Sequence, residues 1–204
     1  MNALLFRVAT EADAPALSGI YAPYVETMSV TFETEVPDQT EFARRIRGTL
    51  RRYPYLVCEK EGTVIGYAYA FEQMERAAYR WNAGLSVYLK RTCIGKGAGT
   101  ALYRALIAIL TLQNIQNVYG GITRPNPASE ALHKKLGFTE LGVYHKTGFK
   151  LGKWHDVVWY EKHIGDLAAP PLPPLNVTKI PDEAVTAILR EAEQAVCGSF
   201  DFSG

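Results

Sequence analysis

Apolar and polar positions divide the chain into short runs with strand-like spacing and longer runs with helical spacing. Leu4 to Val8 predicts a first strand. Thr10-Glu11-Ala12-Asp13 then offers a capping-box start, and Leu17, Ile20, Tyr21 and Tyr24 recur at helical spacing, which predicts a helix over residues 11–24. Ser29 to Glu35 reads as extended. A second helix starts at Asp38 to Glu41, with Phe42, Ile46 and Leu50 on one face and five arginines (Arg44, Arg45, Arg47, Arg51, Arg52) largely on the other. That basic face suits solvent or an acidic partner.

Tyr55 to Glu59 and Thr63 to Phe71 flank a Lys60-Glu61-Gly62 turn and predict an antiparallel hairpin. A polar and aromatic loop, Glu72 to Trp81, leads into a central strand at Gly84 to Lys90. A glycine-rich loop follows, then a helix over Ala101 to Leu112 and a strand over Val118 to Thr123. Strand, helix and strand in that order make a right-handed crossover between two parallel strands. Asn126 is a good N-cap with Pro127 as first helical residue, and Gly137 ends that helix. Thr139 to His145 and Val157 to Tyr160 predict a final strand pair, with Gly148 to Trp154 connecting them. The fold class is α/β, a mixed and mostly antiparallel sheet with one parallel pair, flanked by helices.

The composition changes at Gly165. Residues 1–164 hold every strand, whereas residues 165–204 begin with a stiff Pro170-Pro171-Leu172-Pro173-Pro174 linker. Asp182 then caps a short helix with Val185, Ile188, Leu189, Ala192 and Val196 on one face. This tail is expected to dock on its own domain, with a second subunit as the alternative.

Charge and cysteine content narrow the class. A formal net charge of +1 on 204 residues gives no support to a nucleic-acid or membrane-surface partner. Met1 to Phe6 lacks the basic region of a signal peptide, and the longest apolar stretch, Ala105 to Leu110, is far too short to span a bilayer. Three widely spaced cysteines (Cys58, Cys93, Cys197) form no metal-ligand pattern, so reduced thiols, a cytoplasmic location and no metal are expected. Cys93 lies beside the glycine loop, as a bystander or as a reactive thiol.

The chemistry concentrates at Ser86 to Thr100. A strand runs into a loop with Gly95, Gly97 and Gly99 at alternate positions and then into a helix, the arrangement of an anion cradle. A P-loop would need Ser or Thr after Lys96, where Gly97 stands. A dinucleotide fingerprint would need a further glycine at Thr100 or Leu102 and an acidic residue about 20 positions on, and none is there. A glycine turn that merely ends a strand is the plain alternative. Ile94-Gly95-Lys96-Gly97-Ala98-Gly99 resembles the Gln/Arg-x-x-Gly-x-Gly/Ala loop of the GCN5-related N-acetyltransferases, with Ile94 where that family usually has Gln or Arg.

Three further blocks are similar to the phosphinothricin acetyltransferase branch of that superfamily: Arg76-x-Ala78-Tyr79-x-Trp81 ahead of Ser86-Val87-Tyr88, Asn126-x-x-Ser129-x-x-x-His133-x-x-x-Gly137-Phe138, and Gly148-Phe149-Lys150-x-Gly152-x-Trp154-x-Asp156-Val157. The resemblance covers residues 5–162. It implies the fold of that superfamily, with its parallel pair at an acyl-CoA site, and acetyl transfer from acetyl-CoA to the amine of a small amino acid or analogue, by direct attack in a ternary complex. The implied cofactor residues are Val87, Tyr88 and Leu89 of the central strand, Ile94 to Thr100 (Ile94, Gly95, Lys96, Gly97, Ala98, Gly99, Thr100), and Asn126, Ser129 and His133. Tyr88 would stabilise the tetrahedral intermediate through its backbone N–H.

His133 takes the position of a thiolate-protonating Tyr and is the implied general acid, with a structural role as the alternative. Asn126 serves as a cofactor contact, a cap or both. Phe32, Glu75, Arg76, Tyr79, Leu85, Ser86, Lys150 and Trp154 are the implied acceptor residues, although aromatics in a sheet protein are also core. The branch usually carries a Glu general base at the position of Gly84, so Glu72, Glu75, His145 or His155 would have to act through water. A non-catalytic acyl-CoA sensor is the alternative function, and a homodimer the expected assembly.

Overall fold

The computed structural model describes residues 4–196, so Cys197 and the residues ahead of Leu4 lie outside the description. Strand β1 (Leu4–Val8) leads through a 3-10 turn (Glu11–Asp13) into helix α1 (Ala14–Thr27). Arg7 fixes that turn by donating to both Asp13 carboxylate oxygens, at 2.8 and 2.6 Å. Helix α2 (Gln39–Thr49) is capped by Asp38, whose side chain accepts from the Glu41 N–H. Its arginine face is solvated and ion-paired, with Arg44 and Arg45 on Glu41 and Arg47 on Glu11.

Strands β2 (Tyr55–Lys60), β3 (Thr63–Glu72) and β4 (Asn82–Leu89) form an antiparallel meander. Helix α3 (Ala98–Leu112) crosses over to β5 (Asn117–Thr123), and α4 (Pro127–Lys135) precedes the long hairpin of β6 (Thr139–Lys150) and β7 (Lys153–His163). The sheet has seven strands in the order β1-β2-β3-β4-β5-β7-β6, and β4 with β5 is its parallel pair.

Each face of the sheet is buried against helices. Leu56, Ala68 and Leu85 face α3, whose Leu102, Leu106 and Ile109 are fully buried. On the other face Val57 and Tyr67 pack with Leu17, Phe42 and Ile46 of α1 and α2. Each of the Leu, Ile, Val and Phe side chains among these contributes about 1.5–3 kcal/mol on burial. The carboxyl-terminal helix α5 (Asp182–Val196) joins the α3 layer through Val185, Leu189, Ala192 and Val196. Its Glu193 accepts from the Phe6 N–H at 3.1 Å on the β1 edge. The proline segment before it is strapped down, with Trp81 Nε1 donating to Leu172 O at 2.8 Å and Gln113 Nε2 to Leu175 O at 2.7 Å.

The split that makes a site is in the middle of the sheet. Strands β4 and β5 pair only over Asn82–Gly84 and Asn117–Tyr119, and from Leu85 and Gly120 onward they separate.

Five expectations are corrected. Residues 29–35 form a bent loop and no strand. Side chains satisfy this loop instead of a neighbouring strand: Thr31 O accepts from Lys150 Nζ at 2.9 Å, and Thr31 Oγ1 shares a hydrogen bond with Tyr21 Oη at 2.5 Å. Helix α1 continues to Thr27 through Pro23, because the carbonyl that proline leaves unpaired belongs to solvent-exposed Gly19. Helix α3 starts at Ala98, three residues early, since Gly97 supplies the left-handed turn at φ +93°. The expected connection Gly148–Trp154 is mostly strand, because Leu151 and Gly152 alone make the turn, both at positive φ. Asp182 is the first residue of α5, and the Pro181 carbonyl accepts the first N–H groups.

Candidate functional site

A cleft of roughly 550 Å³ occupies the gap between β4 and β5. At one end the chain leaves β4, crosses residues 90–97 and enters α3. The first intrahelical bond there is Ala101 N–H to Gly97 O at 3.0 Å, so the N–H groups of Ala98, Gly99 and Thr100 have no partner within the helix. An added Cβ at Gly99 would sit 3.4 Å from Leu89, which shows how closely α3 packs on β4. All the cofactor residues expected from sequence line this cleft except Lys96 and Ala98; the Ala98 methyl is turned into the core. The backbone donors, the open loop and the positive end of the helix dipole fit a pyrophosphate.

The wall of the cleft is the free edge of β4. Lys90 N–H bonds to Ile65 O on β3, and the register pairs Tyr88 with Tyr67. Ladder alternation therefore turns the Tyr88 N–H toward β3 and the N–H groups of Val87 and Leu89 toward the split. This corrects the expected role of the Tyr88 backbone: the available donors belong to its two neighbours. The Leu89 carbonyl is held by Tyr24 Oη at 2.6 Å, which fixes the strand end against α1.

His133 is 2% exposed, in contact with the rings of Tyr103, Phe138 and Tyr160. Its Nδ1 lies 2.8 Å from Ser129 O, and a carbonyl only accepts, so Nδ1 carries the proton and Nε2 is bare. Nε2 faces the β5 backbone, where a Cβ on Gly120 would come within 2.3 Å of it. Burial lowers its pKa from the usual value, with the Ser129 carbonyl opposing. The neutral imidazole is thus the resident form at pH 7. Asn126 caps α4 by accepting from Ser129 N–H at 3.2 Å, which leaves its amide NH₂ for other partners.

Of the expected acceptor residues, Leu85 and Ser86 line the cleft. Phe32, Glu75, Arg76, Tyr79, Lys150 and Trp154 do not. Phe32 lies over Gly148, whose added Cβ would meet its ring at 2.3 Å, and Lys150 is 5% exposed with its ammonium on Thr31 O. Burial lowers the Lys150 pKa, with Glu33 opposing. Trp154 is exposed against Phe149, and Glu75, Arg76 and Tyr79 sit on the exposed loop before β4. Sequence reasoning missed Met28 and Val30, which close the cleft from the end of α1, and the hydrogen bond between Ser86 and Tyr69. Neither carries a signal, since Met28 and Val30 look like ordinary apolar loop residues.

Gly84 is covered. A Cβ there would come within 2.4 Å of the Phe71 ring and 2.7 Å of the Gln73 amide oxygen. The four proposed substitutes for a carboxylate at this position all lie outside the cleft lining. Glu72 pairs with Arg52 at 2.8 Å, His145 with Asp156 at 3.2 Å, and His155 Nε2 with Lys150 O at 2.9 Å, while Glu75 is exposed. Among the described residues no group of His, Cys, Asp and Glu is arranged to hold a metal, and no helix is long and apolar enough to cross a membrane. Cys58 and Cys93 are buried and free, and burial pushes the Cys58 thiol up to about 12.

A split parallel pair with a helix amino terminus at its mouth is the frame of an acetyl-donor-binding fold, and residues 6–159 match the acetyltransferase (GNAT) domain family. The chain belongs to that family. It is an acetyltransferase of the phosphinothricin and methionine sulfoximine N-acetyltransferase type. It is 38% identical to phosphinothricin N-acetyltransferase of Streptomyces viridochromogenes, over 85% of this chain and 94% of the relative. It is 31% identical to the L-methionine sulfoximine/L-methionine sulfone acetyltransferase of Salmonella typhimurium, over 82% and 98%. The phosphinothricin acetyltransferase of Sinorhizobium meliloti, solved in complex with AcCoA, superposes with a TM-score of 0.79 at 36% identity, over 86% of this chain and 94% of that one. The non-catalytic alternative gives way to this assignment.

Proposed function

We propose that the protein transfers the acetyl group of acetyl-CoA to the amine of a small amino acid or analogue of the phosphinothricin, methionine sulfoximine or methionine sulfone type. The observation that carries this reading is the β4–β5 split, with the α3 amino terminus at one end and Ser86, Met28 and Val30 at the other. The pyrophosphate binds the loop from Ile94 to Thr100, and the thioester lies along β4. The amine attacks its carbonyl directly. The Val87 or Leu89 N–H donates to the oxygen as it becomes tetrahedral, an interaction of the kind worth about 2.7–4 kcal/mol. The C–S bond then breaks and the sulfur leaves as the thiol.

The neutral, walled-in His133 supports a structural role better than proton donation to that sulfur, because an imidazole without its second proton has none to give from Nε2. A homodimer is also proposed. Leu141, Tyr144, Phe149 and Trp154 are exposed along the outer hairpin, next to the free edge of β6, and would be covered by a second copy. Free-thiol release from acetyl-CoA, run with phosphinothricin, methionine sulfone and other amines, tests the main reading. Turnover with one of these compounds is expected, and acetyl-CoA binding without turnover on any amine would sink it.

A further inference from the structure

At the tip of the β6–β7 hairpin the usual order of polar and apolar positions is inverted. Phe149 and Leu151 are 59% and 55% exposed, while the lysine between them is 5% exposed. Taking an ammonium out of water is costly unless other hydrogen bonds replace the water. Lys150 Nζ donates to Thr31 O at 2.9 Å and reaches Tyr24 O at a looser 3.5 Å. Both partners are neutral carbonyls, so no ion pair offsets the burial. Glu33 is near enough to favour the charged form, but its own oxygens are held by Arg45 at 2.7 and 3.3 Å. An apolar side chain would pack in this place without that cost; what the lysine adds is a pair of donors.

The two carbonyls bracket a stretch that shapes the cleft. Between Tyr24 and Thr31 the chain leaves α1 and bends, and Tyr24, Met28 and Val30 line the cleft. Tyr24 lies in the last turn of α1, where the helix dipole favours a cation. The bend has no strand beside it and is held by side chains from three directions. Tyr21 Oη meets Thr31 Oγ1 at 2.5 Å from α1, and just beyond, Arg45 takes Glu33 from α2. From the hairpin come Lys150 and the packing of Phe32 over Gly148 and His155. His155 Nε2 donates to Lys150 O at 2.9 Å, which fixes the backbone that carries the lysine.

Taking the acetyl-transfer reading as its basis, we propose that Lys150 is a positioning residue for the acceptor. From outside the cleft it clamps the stretch from Tyr24 to Thr31 at both ends, and so sets where Met28 and Val30 meet the acceptor's side chain. The glycine loop has no share in this clamp, because its donors are backbone groups fixed by the start of α3.

The test is Lys150→Met, which keeps a straight apolar stem and removes the donors. With methionine sulfone or phosphinothricin as acceptor, acceptor KM is expected to rise about tenfold, with kcat within about threefold and acetyl-CoA KM within about twofold of the wild type. Thermal melting reports stability separately. A lower melting temperature with acceptor KM unmoved would make Lys150 a structural tie only and overturn the proposal, and so would a parallel rise in both KM values.

Met28→Ala, made in both backgrounds, asks whether the effect travels through the bend. It is expected to raise acceptor KM in the wild type and to add little in Lys150→Met, since the bend is already released there; full additivity would overturn the proposal. If Lys150→Met does not fold, Tyr21→Phe frees Thr31 from α1 while its ring stays against Phe42 and Tyr88. That variant is expected to raise acceptor KM by about two- to threefold, and an unchanged value would again overturn the clamp. No transfer by the wild-type chain to any amine would remove the transfer reading and this proposal together, whereas transfer with an unmoved acceptor KM removes this proposal alone.

Discussion

At the glycine-loop end of the cleft, residues 94–100 are contiguous and act through their backbone, whereas the acceptor end gathers Met28, Val30, Leu85 and Ser86 from separate elements and acts through side chains. The first end is a local device. Its donors exist as soon as α3 starts, and no side chain beyond the glycines is required. The second end exists only after α1, β3 and β4 have packed, since Tyr69 holds Ser86 and Tyr24 holds the end of β4. A local device breaks when its backbone is altered; an assembled one breaks when a packing partner is altered.

The largest effect should therefore come from Gly97→Val. Gly97 sits at φ +93°, with Val196 of α5 3.4 Å from the position of an added Cβ. A β-branched residue there costs up to about 3 kcal/mol, so acetyl-CoA affinity should fall by up to about 100-fold in calorimetric titration. Ile94→Ala at the same end removes a 42% exposed side chain and should change that affinity by about twofold at most. If the two variants weakened binding equally, the backbone account of this end would be wrong.

Next in size is Gly84→Glu made alone. The new Cβ would lie 2.4 Å from the Phe71 ring, so the ring must move before a carboxylate fits. Overpacking of this kind costs roughly 1–3 kcal/mol of stability. The melting temperature should drop while acetyl-CoA affinity holds, and pairing the change with Phe71→Ala should recover most of the loss. A stable single variant would mean that Phe71 gives way freely.

The same division explains what could be read from the chain beforehand. The strands, the crossover and the glycine loop were legible because each rests on local periodicity or on turn chemistry. The loop over residues 29–35 was not: its sequence favours an extended chain, but both of its anchors, Lys150 and Tyr21, lie far away in sequence. Lys150 itself carried a motif that pointed to the acceptor pocket, and burial against Thr31 O turned it into a tie between two segments. His133 was visible as a residue but not as a neutral, enclosed imidazole, since its enclosure comes from Tyr103, Phe138 and the β5 backbone.

His133 lies between the two ends, and its state has a consequence for stability. Burial lowers its pKa in the folded chain, with Ser129 O opposing, whereas in the unfolded chain it returns to about 6.5. Between the unfolded and the lower folded value the unfolded chain binds more protons, so stability falls as pH falls. The contribution is fully present above about pH 6.5 and declines by up to about 1.4 kcal/mol per pH unit through that window. Urea unfolding at pH 7.5 and 5.5 should show a larger loss for the wild type than for His133→Phe, and equal losses would place the acid sensitivity elsewhere.

The smallest effect, and the one that separates the two ends most cleanly, is expected from Tyr69→Phe. The hydroxyls of Tyr69 and Ser86 are hydrogen-bonded to each other, and the Tyr69 ring stacks on Tyr55 at 4.9 Å, so the phenyl ring stays in place when the hydroxyl goes. A single neutral hydrogen bond of this kind is worth about 1 kcal/mol. Freed from its partner, the Ser86 hydroxyl can turn within the acceptor end, while α3 and the glycine loop are built on their own backbone. Acceptor KM should therefore shift up to about fivefold with acetyl-CoA affinity unchanged. A parallel loss at both ends would mean that the wall between them transmits strain, and the cleft would then have to be treated as one device.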